Sequence, residues 1–154
     1  MAVLTSGAFC WYNNDSTSNH CLYGRLYNLY AVYDARNLCP SGWHVPSDGE
    51  WTILTNSLGG QNVAGEKMKI TSGWLNNGNG SNSSGFTGRP GGYRLNVNNP
   101  AFLNLGTQGY WWTNTATTPG NAWYRVLHWG ADIQRNTTDI QGAGIGFSVR
   151  CVKD

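Results

Sequence analysis

Charge is scarce in this chain of 154 residues: only 12% are Asp, Glu, Lys or Arg, and ten basic against eight acidic side chains leave a net charge of +2. So balanced a set gives no footprint for nucleic acid or another polyanion. No apolar run is long enough to cross a bilayer. The opening "MAVLTSGAF" lacks the basic start and full apolar stretch of a signal peptide. The cysteines form no CxxC, and His20, His44 and His128 do not stand at zinc-finger spacing from them, which argues against structural zinc. "NND" (13–15) and "NVNNP" (96–100) offer some oxygens, but no regular Asp-rich loop suits calcium. No Ser occupies a G-x-S-x-G elbow, and "LGG" and "PGGYR" lack the strand–loop–helix setting and Lys of a phosphate loop. No cofactor, metal or catalytic constellation is expected.

Glycine (21), Trp (8) and Tyr (8) are plentiful, with many Asn and Thr. High aromatic, Gly and Asn content with little charge points to a loop-rich, β-leaning domain. Tyr, Trp, Asn and Ser also dominate paratopes, where the rings give rigid contact area and the short polar groups adapt. The length suits a single domain with a core of its own. Four cysteines, Cys10, Cys21, Cys39 and Cys151, permit three pairings. Two disulfides in an extracellular or cell-surface domain is the simplest reading, its signal or anchor lying outside these residues.

Leu26, Leu29, Tyr30 and Tyr33 stand at helical spacing and predict a helix over about 24–35. In "VPSDGEWTILTNSLGG", Ser47 with Glu50 makes a capping box, Trp51, Leu54 and Leu58 one apolar face, and Gly59-Gly60 a stop. "NVAGEKMKI" suggests a short third helix. Beyond Ile70 the chain turns to Gly/Asn/Ser loops and short aromatic strands, so the order is helices first and sheet later, an α+β plan. "AWYRVLHWGADIQRNTTD" (122–139) reads as two strands around a turn at Gly130 to Asp132. Alternation places Trp123, Arg125, Leu127, Ile133 and Arg135 inward, and Tyr124, Val126, His128, Gln134, Asn136 and Thr138 outward.

The motifs "YGRLYN", "NLCPSGWHVPSDGEW", "LGG", "AGEKMK", "NSSGF", "PGGYR", "GTQGYWW", "AWYR" and "GFSVRC", in this order from about Tyr12 to the C-terminus, resemble the Fibrobacter succinogenes major paralogous domain family. That family is part of the broad C-type-lectin-like group. The resemblance implies two helices packed on a twisted antiparallel sheet with a long loop-rich insertion. It also implies a disulfide from Cys39 to Cys151, which leaves Cys10 to pair with Cys21. The Glu-Pro-Asn, Gln-Pro-Asp and Trp-Asn-Asp tripeptides of calcium-dependent sugar-binding lectins are missing. The related formylglycine-generating enzymes use cysteine chemistry, for which bridged cysteines would leave nothing.

Members of this family are often variable proteins of diversity-generating retroelements, in which randomised Asn codons cannot become Lys, Glu, Gln, Met or Trp. Between Lys69 and Lys153 the chain has no Lys, Glu or Met; a half dominated by uncharged loops would show the same. The resemblance implies fixed scaffold positions at Trp111, Trp112, Trp123, Arg125, Leu127, Arg135, Phe147 and Cys151. Trp129 and Gln134 cannot be randomised Asn codons. It leaves Thr115, Thr117, Asn121, Tyr124, Val126, His128, Gly130, Asp132, Asn136, Thr137, Thr138 and Asp139 for a variable ligand-binding face, bordered by Asn96, Asn98, Asn104 and Thr107. "WWTNT" and the long stretch from Arg135 to Phe147 depart from the family pattern.

Tyr124 and His128 are expected as contact residues, Trp129 and Trp111-Trp112 as packing, and His44 as a hydrogen-bonded structural histidine. Arg125, Arg135 and Arg150 need partners, with Asp132, Asp139 or backbone carbonyls as candidates. Together these features describe a secreted or surface-displayed binding domain for a macromolecular partner, protein or glycan. A calcium-independent carbohydrate-binding module is the alternative, and an enzyme related to the formylglycine generators a more distant one. The ligand's identity and the oligomeric state stay open.

Overall fold

The capping box at Ser47 starts the longest helix. The Ser47 hydroxyl accepts from the Glu50 amide, and the Glu50 carboxylate accepts from the Ser47 amide in return. A computed structural model describes residues 5–96, 101–138 and 142–154, the side chain of His20 excepted. In it the elements run β1 (Phe9–Cys10), α1 (Ser16–Tyr23), β2 (Leu26–Tyr27), α2 (Leu29–Val32), β3 (Trp43–His44), α3 (Asp48–Ser57) and α4 (Gln61–Met68). Then come β4 (Gly91–Leu95), β5 (Ala101–Leu105), β6 (Gly109–Thr118), β7 (Asn121–Leu127), β8 (Ile133–Thr137) and β9 (Val152–Lys153). The plan is α+β, with helices first and the main sheet later.

One expected helix needs correction and one helix went unread in the sequence. The helix foreseen over 24–35 is only α2, because Leu26–Tyr27 is drawn into a ladder with β1 and Tyr27 also pairs with Phe147. Asn28 separates strand from helix: its buried side chain accepts from the amides of Ala8 and Ala31 and donates to the Ser6 carbonyl. The helix α1, capped by Asp15, was not foreseen, since it carries no apolar stripe.

The main sheet has the order β5-β4-β6-β7-β8, and it is mixed rather than antiparallel. The parallel join is a single pair, Gly92 with Gly109. Gly92 has φ +62°, and a Cβ there would stand 2.3 Å from the Leu103 carbonyl oxygen, so only glycine permits the approach. Both faces of this sheet are covered. One carries Leu29, Val32, Val45, Tyr110, Trp112, Val126 and Phe147; the other carries Trp51, Ala64, Met68, Trp74, Trp111, Leu127 and Ile133. Neighbours Trp111 and Trp112 therefore feed opposite cores, as packing residues; the Trp112 indole also donates to the Tyr27 carbonyl at 2.7 Å.

Cys39 and Cys151 are bonded, with Cα atoms 5.9 Å apart and a separation of 112 positions in sequence. On the chain-entropy model a loop of that length contributes about 5 kcal/mol. The β3–β9 ladder lies close by and ties the chain's end to the residues before α3. The second bridge, Cys10 to Cys21, is absent: Cys10 lies half-buried in β1, Cys21 is exposed on α1, and both are thiols. Burial raises the Cys10 pKa. Alkylation of the unfolded, unreduced protein should therefore label two cysteines, and reduction should raise the count to four. Labelling of none before reduction would contradict this pairing.

Candidate functional site

The β7–β8 hairpin pairs Trp123 with Thr137, Tyr124 with Asn136, Arg125 with Arg135, Val126 with Gln134 and Leu127 with Ile133. The inward residues Trp123, Arg125, Leu127, Ile133 and Arg135 share one face, as alternation predicts. The row 123/125/127 lies on the helix side. Arg125 is fully buried there, its guanidinium donating to the Asp48 carboxylate at 2.8 Å, to the Asp48 carbonyl and to the Thr52 hydroxyl. Arg135 grips the same carboxylate with two nitrogens and stacks 3.3 Å above the Trp123 ring centre. Burial disfavours a charged Asp48, but hydrogen bonds from Arg135 and Arg125 outweigh it and lower its pKa. Asp48 opens α3, where the helix dipole also favours a carboxylate. Among the described residues the carboxylate partner of both arginines is thus Asp48, not Asp132. Arg150 instead bonds the Phe86 carbonyl and covers the Phe86 ring.

A second cation fixes the turn. Lys69, 1% exposed at the end of α4, donates to the carbonyls of His128, Trp129 and Gly130. Desolvation lowers its pKa, opposed by the charges of Asp132 and Glu66. Beside it the Glu66 amide donates to the Ala131 carbonyl at 2.9 Å. Residue 65 must be glycine for this approach, because a Cβ there would stand 2.1 Å from the Asp132 carbonyl oxygen. Within the turn, His128 Nε2 lies 2.8 Å from Asp132 Oδ1, and His128 Nδ1 accepts from the Gly130 amide.

The opposite row is not free, and this corrects the expected outward face. Val126 is 3% exposed and lies in the core. Tyr124 is half-buried, its ring 4.7 Å from Phe147 and 6.5 Å from Trp112 between centroids. The chain after β8 closes over this row, since the 3-10 turn Gly142–Gly144 packs against α2 and β7. Thr138 is buried too, its hydroxyl accepting from the Ala122 amide. Thr115 is half-buried and accepts from the Asp48 amide, so it caps α3 from across the sheet.

The remaining candidates fall into separate places. Thr117 and Thr137 are exposed, with half-exposed Asn121 and Asn136, toward the β6–β7 end of the hairpin. His128, Gly130 and Asp132 lie at the other end, roughly 20 Å away along β7. Asn104 sits in β5 on the far edge of the sheet, three strands from β7, with Thr107 just beyond it, so neither borders the hairpin. Asn96 is half-buried. Asp139 and Asn98 lie outside the described residues, as does the side chain of His20. Trp129, expected as packing, is instead 62% exposed at the tip of the turn. The sequence signal was its place beside Gly130, where a turn leaves a side chain little to cover it.

The family model described as Fibrobacter succinogenes major domain matches residues 2–153. The chain belongs to that family. No curated protein and no solved structure matches it. In this Fibrobacter succinogenes major domain no helix among the described residues is long and apolar enough to cross a membrane. Nor, among those residues, do three His, Cys, Asp or Glu side chains gather where they could hold a metal ion.

His44, in the "GWHVP" motif, is hydrogen-bonded on both nitrogens: Nδ1 to Asp154 at 2.6 Å and Nε2 to Glu50 at 2.8 Å. Two carboxylate acceptors require both nitrogens to donate, so the ring is the imidazolium. Asp154, then Glu50, raises its pKa above the ordinary 6.5. The stabilisation this adds is full below pH 6.5 and is lost as pH rises through the raised folded-state value. Urea melts from pH 5 to 9 should show the gap between the native protein and His44→Gln narrowing above pH 6.5; a gap that widens there would contradict the assignment. Lys69→Met should destabilise by about 2–3 kcal/mol, because three carbonyls lose a charged donor. Equal denaturation midpoints would show that the turn does not need it.

Proposed function

We propose that this domain is a recognition module, secreted or displayed at a cell surface, that binds a macromolecular partner through the exposed ends of its last hairpin. The reading extends to a C-type-lectin-like scaffold and to a diversified receptor-type protein of a diversity-generating retroelement. One observation carries it. The strands β7 and β8 are clamped by Asp48 and Lys69, while Thr117 and Thr137 at one end and Trp129 at the other stand in solvent. A surface fixed before contact loses little conformational entropy on binding. Exposed Trp is also the side chain most enriched in binding hot spots.

The scaffold reading draws on the Cys39–Cys151 bridge and the β3–β9 ladder, which together hold the end of the chain to the segment entering α3. Recognition rather than catalysis draws on how the reactive side chains are engaged. His44 is held between two carboxylates and His128 lies within its own turn against Asp132, which leaves Cys10 and Cys21 as the thiols outside the disulfide.

On this reading the variable set is Asn121, Asn136 and Thr137 of the hairpin with Thr117 of the neighbouring strand β6, and Trp129 is a constant aromatic contact. Thr117→Tyr and Thr137→Tyr should each shift stability by no more than about 0.5 kcal/mol, as exposed substitutions do, whereas Val126→Tyr should unfold the domain. Sibling sequences from one locus should differ at the exposed positions and agree at Asp48, Lys69, Arg125 and Val126. Differences spread evenly through the two cores would refute a diversified face.

A further inference from the structure

A cleft of about 650 Å³ lies away from the hairpin ends, beside the Cys39–Cys151 bridge, and is within the size range of small-ligand sites. Its lining includes Arg25, Arg89 and Arg150, three of the seven arginines of the chain, and no Asp or Glu. None of the three has a carboxylate partner among the described residues. Arg25 stacks on Phe9 and Trp11, Arg150 bonds a backbone carbonyl, and the Arg89 guanidinium makes no hydrogen bond or ion pair among the described residues. In a chain with so little charge, three guanidiniums around one cavity with no described carboxylate beside them are a concentrated positive field.

The rest of the lining is aromatic and hydroxylic. Trp43 is 41% exposed, Tyr23 and Tyr27 are half-buried, and Thr87 and Ser148 stand among them. Guanidinium is a planar fork matched to carboxylate and sulfate oxygens. Aromatic faces cover the apolar faces of sugar rings, and hydroxyls bond their edges. A small inorganic anion would leave the aromatic walls unused. A neutral sugar would leave the arginines unanswered.

We propose that this cleft binds an acidic oligosaccharide, carboxylated or sulfated, with Arg89 as the principal anion contact and Trp43 as the stacking wall. The site needs no metal and is independent of the hairpin, so it stands whether or not the hairpin is the diversified face.

Calorimetric titration with trigalacturonate and with a sulfated heparin tetrasaccharide tests it, each arm representing one source of the sugar anion. Methyl-esterified trigalacturonate and tetraglutamate serve as the controls. At least one acidic sugar should bind, with affinity falling as salt rises, and both controls should bind at least tenfold more weakly. Arg89→Gln and, separately, Trp43→Ala should each weaken the bound sugar at least tenfold while leaving the thermal melt in place. Failure of both acidic sugars to bind, equal binding of either control, or an unchanged affinity in both variants would overturn the proposal. If Arg89→Gln does not fold, Trp43→Ala and the ester control decide the matter by the same criteria.

Discussion

A buried guanidinium has to be answered by a carboxylate, and the pairing of Arg125 with Asp48 is the contact on which the rest of this domain's arrangement hangs. Asp48 belongs to the first turn of α3, and Arg125 and Arg135 belong to facing positions of β7 and β8. One carboxylate therefore fixes a helix against two strands. Its chief effect is on register rather than on net stability, since desolvating both charges offsets much of their attraction. A slip of one residue in β8 would carry Arg135 to the other face of the sheet and leave Asp48 half answered. Lys69 repeats the device at the turn, where backbone carbonyls supply the negative ends.

With the hairpin held from both sides, the domain separates what must stay constant from what can change. Strand interiors feed two cores, one against α2 and Phe147 and the other against α3 and α4. At the strand ends Thr117 and Thr137 are short, polar and exposed, and Trp129 is large and exposed. A substitution at such ends asks little of the fold. The Cys39–Cys151 bond packs against the first of these cores.

Much of this was legible in the residues, and the remainder was hidden for definite reasons. The capping box at Ser47 and Glu50 uses local chemistry, so three residues suffice to find α3. The two rows of side chains on β7 and β8 follow from a period of two, which needs no knowledge of neighbours. That same period cannot say whether a second face is covered, and Tyr124 and Val126 were placed outward for that reason. What covers them comes from Gly142–Gly144 and Phe147, residues beyond the hairpin in sequence. The arginines were known to need partners, but Asp48 lies 77 residues from Arg125 and carries no signal of the pairing. Likewise, apolar spacing over 24–35 suggested a helix, while the Tyr27 bridge to Phe147, a contact across most of the chain, made part of it a strand.

Amide hydrogen exchange under native conditions measures the clamped hairpin most directly. If Asp48 and Lys69 hold β7 and β8 as described, the hydrogen-bonded amides of Asn121–Leu127 and Ile133–Thr137 exchange only through global unfolding, at the rate of the β6 core. Exchange of these amides at the rate of the surface loops would contradict the account.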